Sequence, residues 1–241
     1  MHLNNKILVT GVDSGLGKFL FSNINNCIGL TRRNHNLLKK KNKYLKIIHC
    51  AFNQKKKLDK RDDYYQYLED NLILTQKLLK LDYEYFYYIS SIEVYKYAEN
   101  DLSVYFKNFA ESLVKKSKKN YKILRCSMIL GPTMRENHIT KIFSNNQKIS
   151  LSQNSSFNYI LMDDILEYIF NHSHNKKNEI IDFVSNKNIS LSTVIRKFRK
   201  KVKFGNYKYI TPGKYQNPIY NKFIHFDKSS YTNLKNFYKK I

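Results

Sequence analysis

In the first half of the chain, apolar runs alternate with segments in which apolar residues recur at helical spacing, and this pattern predicts strands and helices. Mostly apolar runs of four or five residues, typical of buried strands, lie at 7–10, 27–31, 47–51, 85–89 and 123–126. Between these runs, apolar residues recur at helical spacing over 17–25, 64–81 and 103–118. Strands that alternate with helices are typical of a parallel sheet that helices cover on both faces.

The second half of the chain predicts shorter elements. After Gly131-Pro132, helices are expected at 138–146, 163–171, 192–202 and 229–240, and strands at 149–151, 179–184, 208–210 and 223–226. Asp227 is expected to cap the last helix. We therefore predict an α/β fold, a Rossmann-like doubly wound parallel sheet with a small C-terminal α/β lobe. Residues 1–132, rejoined by 159–190, would form the nucleotide-binding domain, and 133–158 with 191–241 the small substrate lobe.

Three glycines follow the first predicted strand, in the sequence Thr-Gly-Val-Asp-Ser-Gly-Leu-Gly at 10–17. Glycine allows a sharp turn and a close approach of a ligand to the backbone. Free amides and the dipole of the following helix then favour a pyrophosphate. The spacing differs from the common G-x-G-x-x-G fingerprint, so an ordinary strand–helix turn is the alternative. The candidate pyrophosphate-binding residues are Thr10, Gly11, Ser14, Gly15, Leu16 and Gly17.

The second predicted strand ends at Arg32-Arg33. In dinucleotide-binding sheets this position faces the adenosine ribose, where arginine suits a 2′-phosphate and a carboxylate suits a free hydroxyl. Arg32 therefore predicts NADP(H), with NAD as the alternative. An arginine in a solvated loop is the competing interpretation.

The formal net charge of +24 needs its own interpretation. Lysine runs are spread along the whole chain, at 39–41, 55–57, 115–119 and 199–203 among others, as expected of solvated helix faces and loops. General attraction to anions, including nucleic acid, is the alternative. We predict no specific nucleic-acid partner. Tyrosines at 83–88 are expected in the sheet rather than as a base-stacking surface.

Location and metal binding follow from a few further residues. Hydrophobic residues make up 42% of the chain, yet no apolar run approaches the length of a membrane span. Cys27, Cys50 and Cys126 lie in apolar runs, which indicates buried free thiols in a reducing compartment. With no room for a signal peptide before the first strand, we expect a cytoplasmic protein. His172 and His174 have no third ligand in view, and the acidic pair at 163–164 suits a helix cap, so no metal site is predicted.

Ordered motifs between Lys6 and Phe198 resemble those of the extended short-chain dehydrogenase/reductases, in particular the nucleotide-sugar epimerase/dehydratase group. The glycine run resembles their cofactor loop, and Cys50-Ala51 the strand end that passes the cofactor ribose. The sequence Tyr-Ile-Ser-Ser-Ile-Glu-Val-Tyr at 88–95 resembles their active-site serine strand, with Ser91 as the serine. The resemblance implies an NAD(P)-dependent enzyme acting on a nucleotide-activated sugar, in surface polysaccharide synthesis. It also leaves homodimer formation open.

The family pairs a catalytic tyrosine with a lysine four residues later, which puts both on one helix face. That pair is not intact here. In one register Lys107 is the lysine, supported by Glu111 four residues on, and Ser103 occupies the tyrosine position. In the other, Tyr105 is the tyrosine and Phe109 takes the lysine position. We favour the first register. The proton source is then Tyr105, which lies two residues from the required helix face and would need an unusual approach to the site, or Tyr95.

Two further differences from the family bear on catalysis. The connection from Ser91 to Ser103 is short for a substrate loop, and the segment 34–46 has room for one short helix but not for the family's third strand. Met128 stands where several relatives carry a substrate-contacting asparagine. A nucleotide-binding module that has lost hydride chemistry, with a structural or sensing role, is therefore the alternative function.

Overall fold

The computed structural model describes residues 6–39, 42–55, 58–96, 101–117, 119–144, 148–171 and 178–241. The strands are β1 Ile7–Thr10, β2 Cys27–Leu30, β3 Lys43–His49, β4 Asp82–Ser91, β5 Tyr121–Cys126, β6 Met128–Leu130, β7 Lys148–Leu151, β8 Ser156–Phe157, β9 Tyr159–Leu161, β10 Asn178–Phe183, β11 Ile189–Ser190 and β12 Lys203–Tyr207. The helices are α1 Gly15–Asn23, α2 Arg61–Leu68, α3 Leu74–Leu79, α4 Leu102–Lys116, α5 His138–Phe143, α6 Met162–Asn171, α7 Leu191–Phe198 and α8 Ser230–Tyr238. A π-helical turn, Glu69–Ile73, joins α2 to α3.

Six strands form one parallel sheet in the order β10-β5-β4-β3-β1-β2. Successive residues of β1 point to opposite faces: Ile7 and Val9 join a core with α1 and α6, whereas Leu8 joins a core with α2, α3 and α4. Because both faces are covered, the strands are mostly apolar, and this is why the sequence revealed them as nearly continuous apolar runs. The predicted doubly wound α/β fold is confirmed.

The segment after β2 is short, as expected, and contains a 3₁₀ helix, Arg32–Lys39. However, β3 begins at Lys43, four positions before the predicted start at Ile47. Lys46 hid this extension because a lysine interrupts the apolar pattern. Its Nζ atom crosses to the end of α6 and donates to the Ile169 carbonyl oxygen at 2.7 Å, which satisfies the buried amine.

Three strand pairs, β6 with β9, β7 with β12 and β8 with β11, surround a third core together with α5, α7 and α8. Two strand predictions in the C-terminal half of the chain were wrong. The strand expected at 208–210 lies at Lys203–Tyr207, and the strand expected at 223–226 is a 3₁₀ turn, Ile224–Phe226. These segments pack against neighbouring elements instead of entering the main sheet, so their short apolar patterns were ambiguous.

The expected helix caps also need correction. Ser229, not Asp227, caps α8 by accepting from the Thr232 amide, and Asp227 accepts from the Asn186 side chain. Asp163 and Asp164 lie within the first turn of α6, where they form ion pairs with Lys240 and Lys228.

Two further sequence-based expectations concern the cysteines and the membrane. The three cysteines are free; Cys126 is buried, whereas Cys27 and Cys50 are only partly buried. Among the described helices, none has both the length and the apolar character needed to cross a membrane.

Candidate functional site

The turn between β1 and α1 requires glycine for steric reasons. Gly11 has a φ of +73°, and a Cβ atom there would lie 2.9 Å from the Ala51 nitrogen at the end of β3. A Cβ atom on Gly17 would overlap the Gly11 carbonyl oxygen, because the first turn of α1 packs directly on the loop. The glycines therefore let the helix N-terminus approach the strand ends closely.

Thr10 fixes this turn to the neighbouring strand. Its buried hydroxyl oxygen accepts from the amides of Cys50 at 3.1 Å and Ala51 at 3.0 Å, and its proton goes to His49 Nδ1 at 2.8 Å. His49 Nε2 then donates to the Thr75 hydroxyl at 2.9 Å, since Thr75 donates onward to a backbone carbonyl. Burial lowers the pKa of His49 to about 3, so the ring is neutral near pH 7. The sequence did not reveal this chain of hydrogen bonds.

The N-terminus of α1 offers a site for an anion. Ser14 is the N-cap residue, but its side chain makes no capping bond to the first turn, and that turn contains no acidic residue. Arg135, which follows β6, donates to Ser14 Oγ at 3.0 and 3.2 Å. Thr133 holds the turn from the same side, since its carbonyl accepts from the Gly15 amide at 2.8 Å. Backbone amides, a helix dipole and a guanidinium together fit a pyrophosphate.

A cleft of about 1570 Å³ runs along the carboxyl ends of the sheet strands, the usual ligand position in open α/β sheets. Eleven of the predicted site residues line it: Thr10, Gly11, Ser14, Gly15, Leu16, Gly17, Arg32, Cys50, Ala51, Ser91 and Lys107. The tertiary structure thus brings the glycine turn and the serine strand into one continuous space.

At one end of the cleft, Arg32 is exposed and its Nη2 atom lies 2.6 Å from Asp70 Oδ2. Asp70 comes from the π-helical turn and also accepts from the side chains of Asn53 and Gln66. Sequence reasoning identified the arginine but missed this carboxylate. This end of the cleft therefore carries a cation and an anion side by side.

In the middle of the cleft, Lys107 reaches from α4 to the end of β4. Its Nζ atom donates to the Ile89 carbonyl oxygen at 2.8 Å and lies 4.2 Å from the centre of the Phe52 ring. Burial lowers the pKa of Lys107 to about 8. Glu111, four residues later, instead accepts from Ser90 at 2.7 Å and from Arg125 at 2.8 and 3.0 Å, which joins α4 to β4 and β5.

At the other end, four side chains that sequence reasoning missed face one another. The Tyr209 hydroxyl donates to the Glu93 carboxylate, which also pairs with Lys96. The Tyr209 ring stacks on Phe157, with the ring centres 4.6 Å apart. Glu93 lies two residues after Ser91, and this was the available signal in the sequence; nothing there pointed to Tyr209.

Comparisons with known proteins identify the fold. No protein-family model and no curated protein matches this chain. Solved structures match over nearly its whole length. The UDP-glucuronic acid 4-epimerase of Bacillus cereus in complex with NAD is 17% identical, with a TM-score of 0.72, over 98% of this chain and 99% of that one.

Two further structures have different reactions in their names. An NAD-dependent NDP-hexosamine 5,6-dehydratase of tunicamycin biosynthesis is 14% identical with a TM-score of 0.74, over 98% of both chains. The dTDP-4-dehydrorhamnose reductase of Bacillus anthracis in complex with NADP is 15% identical with a TM-score of 0.74, over 99% of this chain and 100% of that one. The chain has the fold of the nucleotide-sugar epimerases, dehydratases and reductases. The resemblance to extended short-chain dehydrogenase/reductases is thereby confirmed at the level of the fold.

On this epimerase-like fold, neither candidate tyrosine is among the described residues that line the cleft. Tyr105 is 62% exposed and stacks on Phe109 at the outer surface of α4. The Tyr95 hydroxyl donates to Asp182 at 2.8 Å and accepts from Arg125 at 2.8 Å. Our expectation that one of these two tyrosines faces the substrate therefore disagrees with the geometry.

Two remaining sequence predictions concern metals and Met128. His172 and His174 lie outside the described residues. Over the part of the chain that the structure describes, no three or more His, Cys, Asp or Glu side chains cluster in a way that could hold a metal ion. Met128 lines the cleft, as does Ser127.

Proposed function

We propose that this chain is a nicotinamide-dinucleotide-dependent enzyme that acts on a nucleotide-activated sugar, as an epimerase, dehydratase or reductase. The observation that carries the proposal is the continuous cleft that joins the glycine turn at Gly11–Gly17 to Ser91 and Lys107. The epimerase-like fold supports it, since the three solved structures named above carry such reactions in their names.

The residues of the cleft suggest how a cofactor is held. The first turn of α1 and Arg135 suit its pyrophosphate, and the Lys107 amine suits the ribose beside the nicotinamide. When bound, the nicotinamide supplies or accepts a hydride at the sugar. Arg32 favours NADP(H), because a 2′-phosphate can replace Asp70 as the partner of its exposed guanidinium. NAD is the alternative, and Asp70 supports it.

Ser91 is suited to orient the sugar. Its Oγ atom accepts from the Glu93 amide at 3.2 Å, which leaves the hydroxyl proton for a substrate oxygen. We assign the sheet, residues 1–132 with 159–190, to cofactor binding and the small lobe, 133–158 with 191–241, to the sugar. Surface polysaccharide synthesis in the cytoplasm is the setting that we propose.

The proposal is tested with purified protein, first by thermal stabilisation with NADPH and NADH and then by turnover of UDP-glucose, UDP-glucuronic acid and UDP-N-acetylglucosamine. We expect stabilisation by at least one cofactor, turnover of at least one sugar, and a fall in turnover in Ser91→Ala and Lys107→Ala. A protein that neither cofactor stabilises contradicts the proposal.

One observation favours a second candidate, a binding module without hydride chemistry. The tyrosine position of α4 holds Ser103, whose hydroxyl donates to the Asp101 side chain. This candidate predicts that the protein binds the cofactor but turns over none of the three sugars. It also predicts that none of these sugars changes the affinity for the cofactor.

A homodimer is a further part of the proposal. Leu102, Tyr105 and Phe109 lie on one face of α4 and are between 42% and 62% exposed. A second copy would cover this face. Light scattering should then give twice the mass of one chain, and Tyr105→Lys should reduce it to that of a monomer.

A further inference from the structure

Three polar residues form a connected group at the sugar end of the cleft. Ser91 Oγ accepts from the Glu93 amide at 3.2 Å, and the Glu93 carboxylate accepts from the Tyr209 hydroxyl. All three residues line the cleft. Glu93 therefore contacts both the Tyr209 phenol, through its carboxylate, and Ser91, the serine that we expect to touch the sugar, through its amide.

The phenol is held firmly from several directions. The Tyr209 amide donates to Ser155 Oγ at 3.0 Å, and the Tyr209 carbonyl accepts from the Ser156 amide at 2.8 Å. Its ring stacks on Phe157, and Lys96 Nζ lies 3.9 Å from the ring centre. A group whose position is fixed by its surroundings needs little reorganisation to act on a ligand.

Chemistry at a sugar hydroxyl requires a group that takes up or gives back the hydroxyl proton. The geometry points to Tyr209 as that group and to Glu93 as the partner that carries its proton, an inference that rests on the proposed function. As the sugar O–H bond breaks, a new O–H bond forms at Tyr209 Oη. The bond from Oη to its own proton breaks in turn, and that proton binds to the Glu93 carboxylate. Reduction runs the same two transfers in reverse.

His138 is another titratable ring that lines the cleft, but its position suits packing. Its Nε2 atom bonds to the Tyr159 hydroxyl at 2.7 Å, and its ring lies against Phe157 with centres 4.1 Å apart. Burial lowers the pKa of His138 to about 4, so the ring is neutral near pH 7. Its hydrogen bond therefore orders the floor of the cleft.

Burial, together with the neighbouring Glu93 carboxylate, keeps the proton on Tyr209 in the resting protein. Burial and the hydrogen bond to Glu93 raise the Tyr209 pKa, and Tyr159 and Tyr215 are the neighbouring phenols. Lys96 balances the negative charge of the Glu93 carboxylate. The pair thus consists of a neutral phenol and a carboxylate. The Glu93 carboxylate can take the phenol proton when Tyr209 Oη accepts a proton from the sugar.

Tyr209→Phe tests this role because it keeps the ring and removes only the hydroxyl. Tyr207→Phe, at the end of β12 and 65% exposed, is the matched control. The probes are UDP-glucose, UDP-glucuronic acid and UDP-N-acetylglucosamine with NAD or NADP. We expect Tyr209→Phe to lower kcat by about 10²- to 10⁴-fold, the usual contribution of a general acid–base. KM, the melting temperature and the affinity for NADH or NADPH should stay near wild type, and the control should match wild type throughout.

Glu93 acts through Tyr209, so its test needs a readout that packing alone would not change. Glu93→Gln keeps an acceptor for the phenol but takes up a proton poorly, and it should lower kcat with little change in KM. Glu93→Asp, which restores the carboxylate, should recover part of the loss.

An active wild type with an equally active Tyr209→Phe variant overturns the role of the pair and leaves the proposed function standing. Equal kcat values for Glu93→Gln and wild type overturn the proton transfer to Glu93. A wild type that turns over none of the sugars contradicts the proposed function and this role together.

Discussion

Arg135 donates two hydrogen bonds to the Ser14 hydroxyl, although the two residues are 121 positions apart in the chain. The contact joins the loop after β6 to the N-terminus of α1. A guanidinium therefore stands beside backbone amides that already favour an anion. The cofactor site that we propose is therefore built from two segments that are distant in the sequence.

We predict that Arg135→Ala weakens NADPH and NADH binding by about tenfold, or about 1.4 kcal/mol. The cause is the loss of a charged donor near the pyrophosphate. Fluorescence titration of the reduced cofactor measures the change. Arg196→Ala, an exposed position on α7, is the control and should bind as wild type does. If Arg135→Ala binds both cofactors as tightly as wild type does, Arg135 does not contribute to cofactor binding.

The pair of Arg32 and Asp70 predicts how the cofactor preference can be changed. Asp70→Asn should raise the affinity for NADPH by about three- to tenfold relative to NADH, because it frees the guanidinium and removes a like charge from the 2′-phosphate. Arg32→Ala should have the opposite effect. Titration of both cofactors against both variants measures the preference, with Asp62→Asn on α2 as the control. Equal shifts for the two cofactors would exclude contact with the 2′-position.

Gly17→Ala should destabilise the fold by about 1–3 kcal/mol, because the added Cβ atom overlaps backbone that cannot rotate away. It should also abolish cofactor binding by pushing α1 from the loop. Urea denaturation followed by circular dichroism measures the loss. Gly213→Ala has open space around its Cβ position and should stay within about 0.5 kcal/mol of wild type. Similar losses in both variants would contradict the packing argument.

His49 predicts a loss of stability in acid. Its pKa is about 3 in the folded protein against 6.5 for the free side chain, so the unfolded chain binds the extra proton between these values. Its contribution to the free energy of unfolding is therefore fully present above pH 6.5 and declines as the pH falls towards 3. His49→Gln should remove this slope. Urea denaturation measures the free energy of unfolding of both proteins. The difference in this free energy between wild type and His49→Gln should be constant above pH 7 and shrink in acid. A difference that stays constant at every pH would contradict this role of His49.

The sequence by itself determined the sheet and the order of its helices, because strands buried on both faces leave apolar runs that local spacing reveals. It also determined the glycine turn, since Gly11 has a φ of +73° and a Cβ atom on Gly17 would overlap Gly11, six residues earlier. The 3.6-residue helical period, which places residues four apart on one face, suggested Lys107 through Glu111, and the structure has Lys107 in the cleft.

Only the tertiary structure decided which side chains meet across the cleft. Tyr209 and Glu93 are 116 residues apart, and the contact depends on how β12 and its neighbours dock beside the end of β4. Tyr105 and Tyr95 seemed better candidates from local spacing, yet one faces outward and the other is held by Asp182. Local periodicity determines which face of its own element a residue occupies, whereas the partner on that face is set by packing between distant segments.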